Sequence, residues 1–153
     1  MVYGYAAGEI CAEFGIQPRN YQYWLTQGLI IPDVRSKAPR LYSRKESVII
    51  GVAHELSKHF FGFKAAISLL REVIPTIMGD GGVDIESTIV TVCPKGDDIC
   101  AFWSVGGKKH AFNLSQACAM SVGDGEMENG GKRPVVVTID ITAMFNDAYS
   151  RVA

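Results

Sequence analysis

Between Tyr5 and Tyr42 the chain reads YAAGEICAEFGIQPRNYQYWLTQGLIIPDVRSKAPRLY, and this stretch constrains the fold more than any other part of the sequence. Ile10 and Phe14 stand four apart and mark the buried stripe of a short helix over residues 7–14. Gly15 supplies a tight turn. A second helix starts at Gln17-Pro18, because proline suits a first helical turn whose N–H has no partner, and Gly28 suits its left-handed close. In that second helix Tyr21, Trp24 and Leu25 recur at three- and four-residue spacing and point inward against Ile10 and Phe14. Arg19, Asn20, Gln22 and Tyr23 are left outside. Two short helices around a turn, followed by a Pro-bounded loop with Arg35, Lys37 and Arg40 against the single acid Asp33, predict a helix-turn-helix with a basic wing. Leu29-Ile30-Ile31 is the expected first edge of that wing. Arg40-Leu41-Tyr42 is the expected return, with Leu41 inward and Arg40 and Tyr42 outward.

The chemistry of the outward residues fits double-stranded DNA. Arg, Asn and Gln make paired hydrogen bonds to base edges, and Tyr donates to phosphate. The net charge of −1 hides an asymmetry. Residues 1–73 hold nine Lys or Arg against six Asp or Glu, whereas residues 74–153 hold six against ten. Five of the nine bases fall between Arg35 and Lys45, Arg44 among them, so a field favourable to phosphate can exist on a near-neutral protein.

The same stretch, with Pro32, Arg35 and PRLYS at 39–43, resembles the mercury-resistance regulator (MerR) family of winged-helix transcription factors over the first half of the chain. The resemblance implies a recognition helix in the major groove and a wing on the flanking backbone. By position, Arg19, Asn20, Gln22 and Tyr23 take the recognition slots, and Arg35, Arg40 and Tyr42 the wing slots. Lys37 and Arg44 add to the expected DNA contacts. Tyr21, Gln22, Tyr23 and Trp24 stand where the family usually has Leu, Arg, Tyr and Tyr, and Ala38-Pro39 replaces a Gly-aromatic pair.

Ser43 and Glu46 have capping-box spacing and predict a third helix to about Phe60. Gly62 breaks it, and Phe63, Ala66, Ile67, Leu70 and Ile74 predict a fourth. Pro75 and Gly79-Asp80-Gly81-Gly82 interrupt the long dimerisation helix of many relatives, so residues 75–86 are expected to be a flexible linker. Beyond it the period changes. Residues 88–92, 99–105 and 108–112 predict strands, with Gly106-Gly107 as a hairpin turn, and 135–141 a fourth. Residues 114–120 are ambiguous, with Asn113 or Ser115 as caps, and 123–134 reads as a loop. A last helix capped by Asp140 or Thr142 carries Met144, Phe145, Ala148 and Tyr149. The expected fold class is α+β: a winged helix-turn-helix of four helices over 1–74, then a small α+β module over 87–153.

That module carries no phosphate loop and no Ser/His/Asp set, so neither an enzyme nor a cofactor is expected. No metal site is expected from Cys11, Cys93, Cys100 and Cys118, which lack zinc-knuckle spacing, although Cys93 and Cys100 flank Lys95-Gly96-Asp97-Asp98 and can approach each other for metal or redox chemistry. No apolar run reaches membrane-spanning length and Met1-Val2-Tyr3-Gly4 opens no signal segment, so the expected location is the cytoplasm, with the nucleoid. The expected function is a homodimeric regulator reading an inverted repeat, paired through the C-terminal half by strand edges near Ile99–Val105 or by the last helix. RNA polymerase is a candidate partner. The alternatives are an excisionase-like architectural protein and a protein-interaction adaptor that no longer reads DNA.

Overall fold

The computed structural model describes residues 5–32, 41–59, 62–77, 88–118 and 136–152. In order, the elements are β1 (Tyr5–Ala6), α1 (Ala7–Phe14), α2 (Pro18–Thr26), β2 (Leu41–Tyr42), α3 (Arg44–His59), α4 (Phe63–Ile77), β3 (Ile89–Lys95), β4 (Asp98–Val105), β5 (Lys108–Asn113), α5 (Leu114–Cys118), β6 (Val137–Asp140) and α6 (Ile141–Arg151). The fold is α+β, with a helical N-terminal part and a sheet-containing C-terminal part.

Local chemistry explains most boundaries. Gly15 takes the left-handed conformation at φ 66°, and Ile16 N–H returns to Cys11 O at 2.9 Å to close α1. Ser43 Oγ accepts from Glu46 N at 3.0 Å to open α3, the expected half of a capping box. The reciprocal half does not form, because the Glu46 carboxylate turns to Arg71 at 2.7 Å. Asn113 Oδ1 caps α5 through Gln116 N at 3.0 Å, and Asp140 Oδ1 caps α6 through Ala143 N at 3.0 Å.

The four later strands form one antiparallel sheet in the order β5-β4-β3-β6. Val90, Val92, Ala101, Trp103 and Ile139 supply its buried residues, as strand alternation requires. β4 is central, with Cys100–Phe102 paired on both sides, so the edge pairing expected around Ile99–Val105 is not open there. A second, two-stranded ladder joins Tyr5 to Tyr42 and Ala6 to Leu41. The return strand of the wing therefore pairs with the start of the chain. Leu29–Ile31, the expected first edge, is not a strand; the wing loop 33–40 and the loop 123–134 lie outside the described residues.

Helix α4 continues through Pro75 to Ile77, into the stretch expected to be a linker, whose remaining residues also lie outside the described part. Pro75 gives up the bond to Arg71 O, but it does so in the last turn, where few helical bonds remain to be lost. The buried apolar side chains on both sides of that stretch form one cluster, from Ile10 and Phe14 to Phe145 and Val152. Polar ties cross the same boundary. Trp103 Nε1 donates to Thr76 Oγ1 at 2.9 Å, Tyr5 OH to Val152 O at 2.9 Å, and Arg44 Nη2 to Tyr149 O at 2.9 Å.

Candidate nucleic-acid interface

Helix α2 is held from its inner side. Tyr21 and Trp24 are buried; the Tyr21 and Tyr42 hydroxyls share a hydrogen bond, and the two rings meet edge to face at 6.2 Å. Trp24 stacks on Phe63 with ring centroids 3.6 Å apart and planes within 4°. These contacts fix the helix's rotation about its own axis. A rotation of about one residue, 100° in a helix of 3.6 residues per turn, would pull both aromatic side chains out of their seats.

The end of α2 is equally defined. Gly28 adopts φ 72°, Leu29 N–H reaches back to Trp24 O at 3.0 Å and Gly28 N–H to Leu25 O at 3.1 Å. That is a Schellman close. Immediately after it, Arg71 of α4 donates to Leu29 O at 3.0 Å and to both oxygens of Glu46. Glu46 in turn accepts from Ile31 N at 3.4 Å. An ion pair thus clamps the segment leading from α2 into the wing through one backbone carbonyl, of Leu29, and one backbone N–H, of Ile31. Sequence reasoning missed this pair, since Glu46 was read only as a helix cap.

With its inner side so occupied, α2 presents Arg19, Asn20, Gln22 and Tyr23 to solvent. Tyr23 is 61% exposed, the largest value shared by any apolar or aromatic side chain of comparable size in the described part. Four donors or acceptors able to reach base edges and phosphates are therefore placed together, on one rigid helix. Of the other expected contacts, Arg35, Lys37 and Arg40 lie outside the described residues. Tyr42 requires correction: it is fully buried, because pairing with Tyr5 turns its side chain inward onto Tyr21. It braces α2 and, being fully buried, has no surface to offer a phosphate. Arg44 is exposed at the start of α3, but its guanidinium lies 5.0 Å over the Tyr149 ring while donating to Tyr149 O, which directs it toward α6.

Behind α2 and α1 lies α3. Gly51 allows the close approach: a Cβ at this position would collide with the Phe14 ring. A glycine inside an apolar helical pattern is the signal that could have revealed this contact from sequence. His54 is buried near Trp24, 5.8 Å between ring centroids, and among the described residues neither ring nitrogen meets a partner within full hydrogen-bond geometry. Burial lowers its pKa from the usual 6.5; Lys58 lowers it further, while Glu55 and the nearby Gly15 backbone pull weakly the other way. The ring is neutral packing material near neutral pH.

Residues 5–73 match the MerR HTH family regulatory protein model. The matched range ends within α4 and holds α1, α2 and α3, from the Tyr5 ladder to the Arg71 clamp. The match covers just under half of the chain and gives it a helix-turn-helix of the MerR type, which supports a DNA-binding transcription regulator. No curated protein matches the chain. Among the described residues, no group of three or more His, Cys, Asp or Glu side chains is arranged to hold a metal ion, and no helix is long and apolar enough to cross a membrane.

Proposed function

We propose that the protein is a sequence-specific regulator that reads an inverted-repeat DNA site as a homodimer, with α2 in the major groove and Arg35, Lys37 and Arg40 of the wing on flanking phosphates. The observation carrying this reading is the exposed quartet Arg19, Asn20, Gln22 and Tyr23 on a helix whose opposite side is locked by Tyr21 and Trp24. Gln22, in the slot where the family usually has Arg, keeps a paired hydrogen-bonding group without its charge, which favours adenine over guanine. One such helix contacts only a few base pairs. Two-fold repetition doubles the reading surface and matches protein symmetry to DNA symmetry.

The pairing surface belongs to the C-terminal half. Phe145, an earlier candidate, is fully buried in the protein's own core, and β4 is flanked on both sides. Ile89 and Val136, 58% and 61% exposed, lie beside the β3–β6 end of the sheet and are the better candidates; an exposed edge strand such as β6 can also pair with its own copy. RNA polymerase remains a proposed second partner once the dimer is on DNA. Selection of bound sites from random duplex DNA, with sedimentation of the protein, tests the reading. A two-fold site and a dimeric mass are expected. Closely spaced direct repeats would favour an architectural role in DNA bending, and no selected sequence would favour the adaptor.

A further inference from the structure

The β3–β4 hairpin places two thiols directly opposite each other. Its register pairs Lys95 with Asp98, Pro94 with Ile99, and Cys93 with Cys100, around the turn at Gly96 (φ 64°). Both cysteines are free; Cys100 is buried and Cys93 half-buried. Opposed residues of an antiparallel pair project from the same face of the sheet. The two side chains therefore share a face by backbone geometry alone.

The type of pair follows from its neighbours. Pro94 has no N–H to give, and the N–H of Ile99 points the other way, to Ser115 Oγ at 2.7 Å. The Pro94–Ile99 pair is thus the one that exchanges no ladder bonds, and alternation makes Cys93–Cys100 a bonded pair. In such a pair the Cα atoms stand about 5.5 Å apart, inside the range a disulfide spans. Opposed Cβ atoms of bonded pairs lie at the wide end of about 4.5–5.5 Å, beyond the roughly 3.5–4.5 Å that disulfides usually span, so the two strands must draw together for the sulfurs to join. A bond here would close under some strain, and strained disulfides are readily reduced.

We propose that Cys93 and Cys100 form a reversible dithiol–disulfide site whose co-substrate is a low-molecular-weight disulfide. The more accessible Cys93 attacks as thiolate on one sulfur of the small disulfide, expelling one small thiol and leaving a mixed disulfide at Cys93. Cys100 then loses its proton and attacks Cys93 Sγ, expelling the second small thiol. Two electrons pass from the protein dithiol to the small disulfide, which leaves as two thiols, and excess small thiol reverses both steps. Cys11 has no such role: on α1 it has no strand-paired cysteine among the described residues, and burial pushes its thiol pKa up, which disfavours the thiolate. The site does not depend on DNA binding.

Incubating the full chain with glutathione disulfide, then trapping and mapping its thiols by mass spectrometry, tests this. The expected product has lost two hydrogens, carries an internal 93–100 link and regains both thiols in excess reduced glutathione. Cys100→Ser is expected to stop as the glutathione adduct of Cys93. Wild-type protein that stops as an adduct, stays unreacted, links through Cys11 or Cys118, joins two chains, or resists reduced glutathione would overturn the proposal. Because these outcomes are read on the wild type, a misfolded variant does not protect it.

Discussion

Helices α2 and α6 are both short and amphipathic, and each seats its buried residues in the common core, yet they dispose of their polar side chains in opposite ways. On α6, Arg151 pairs with Asp147 at 3.3 Å, Ser150 Oγ donates to Asp147 O at 2.6 Å, Asp140 caps the first turn, and the Tyr149 carbonyl takes Arg44. Its polar groups largely serve the fold. On α2, the outward side chains of Arg19, Asn20, Gln22 and Tyr23 make no hydrogen bond or ion pair with another described residue. The comparison separates a helix that completes a core from one whose outer polar side chains take no part in holding the described fold together. Hydrophobic burial looks alike in both, so burial alone would not have told them apart.

The widest separation between the two is expected from deleting the buried anchor of α6. Phe145→Ala removes a fully buried ring and should cost about 3–5 kcal/mol of stability, read as a lower urea midpoint, while the DNA affinity of the molecules still folded stays within about twofold. A loss of less than about 1 kcal/mol would mean that α6 does not complete the core. For α2 the pattern reverses. Asn20→Ala or Gln22→Ala should leave the urea midpoint unchanged and cost about 1–3 kcal/mol of discrimination at one base position of each half-site. Unaltered selected sequences for both variants would move the reading surface off α2.

Tyr42→Phe asks whether bracing from behind matters to the reading face. It leaves the buried Tyr21 hydroxyl without its partner, a loss of about 1 kcal/mol, and it should weaken specific binding with no change in the slope of log affinity against log salt, since Tyr42 meets no phosphate. A shallower slope would restore Tyr42 to the wing contacts. The smallest effect concerns His54. Its folded pKa lies below the usual 6.5, so as pH falls below that value the unfolded chain takes up the proton first and the folded state loses stability; above it the ring is neutral in both states and contributes nothing to the slope. The urea midpoint should therefore fall as pH drops below about 6.5, and His54→Gln should flatten that fall. An equal drop in the variant would assign it to other groups.

The local grammar of the chain was legible because it depends on neighbours in sequence. Gly15, Pro18 and Gly28 punctuate α1 and α2 as expected, Gly106-Gly107 turns β4 into β5, and the apolar spacing of Tyr21 and Trp24 leaves the same quartet outside that the structure exposes. Tyr42 was misread for the complementary reason. Period-two alternation says only that Leu41 and Tyr42 face opposite ways, and which way is decided by the partner strand, here Tyr5–Ala6 from the far end of the unit. Glu46 shows the same limit. Its capping distance is local, but the competing guanidinium of Arg71 lies 25 residues away, and a charged, bidentate partner outweighs a single backbone N–H.

The helix-turn-helix, the polar face of α2 and the hairpins of the sheet were set by interactions spanning a few residues and could be read from the sequence, which left the caps of α5 and α6 between two residues each. Tertiary structure alone decided that Tyr42 is a brace, that Arg44 is turned toward Tyr149, that Glu46 and Arg71 clamp the exit from α2, and that the C-terminal helix shares a core with α3. Each of these is a choice between partners distant in sequence, settled by which pairing buries apolar surface without leaving a polar group alone, and no periodicity records that choice.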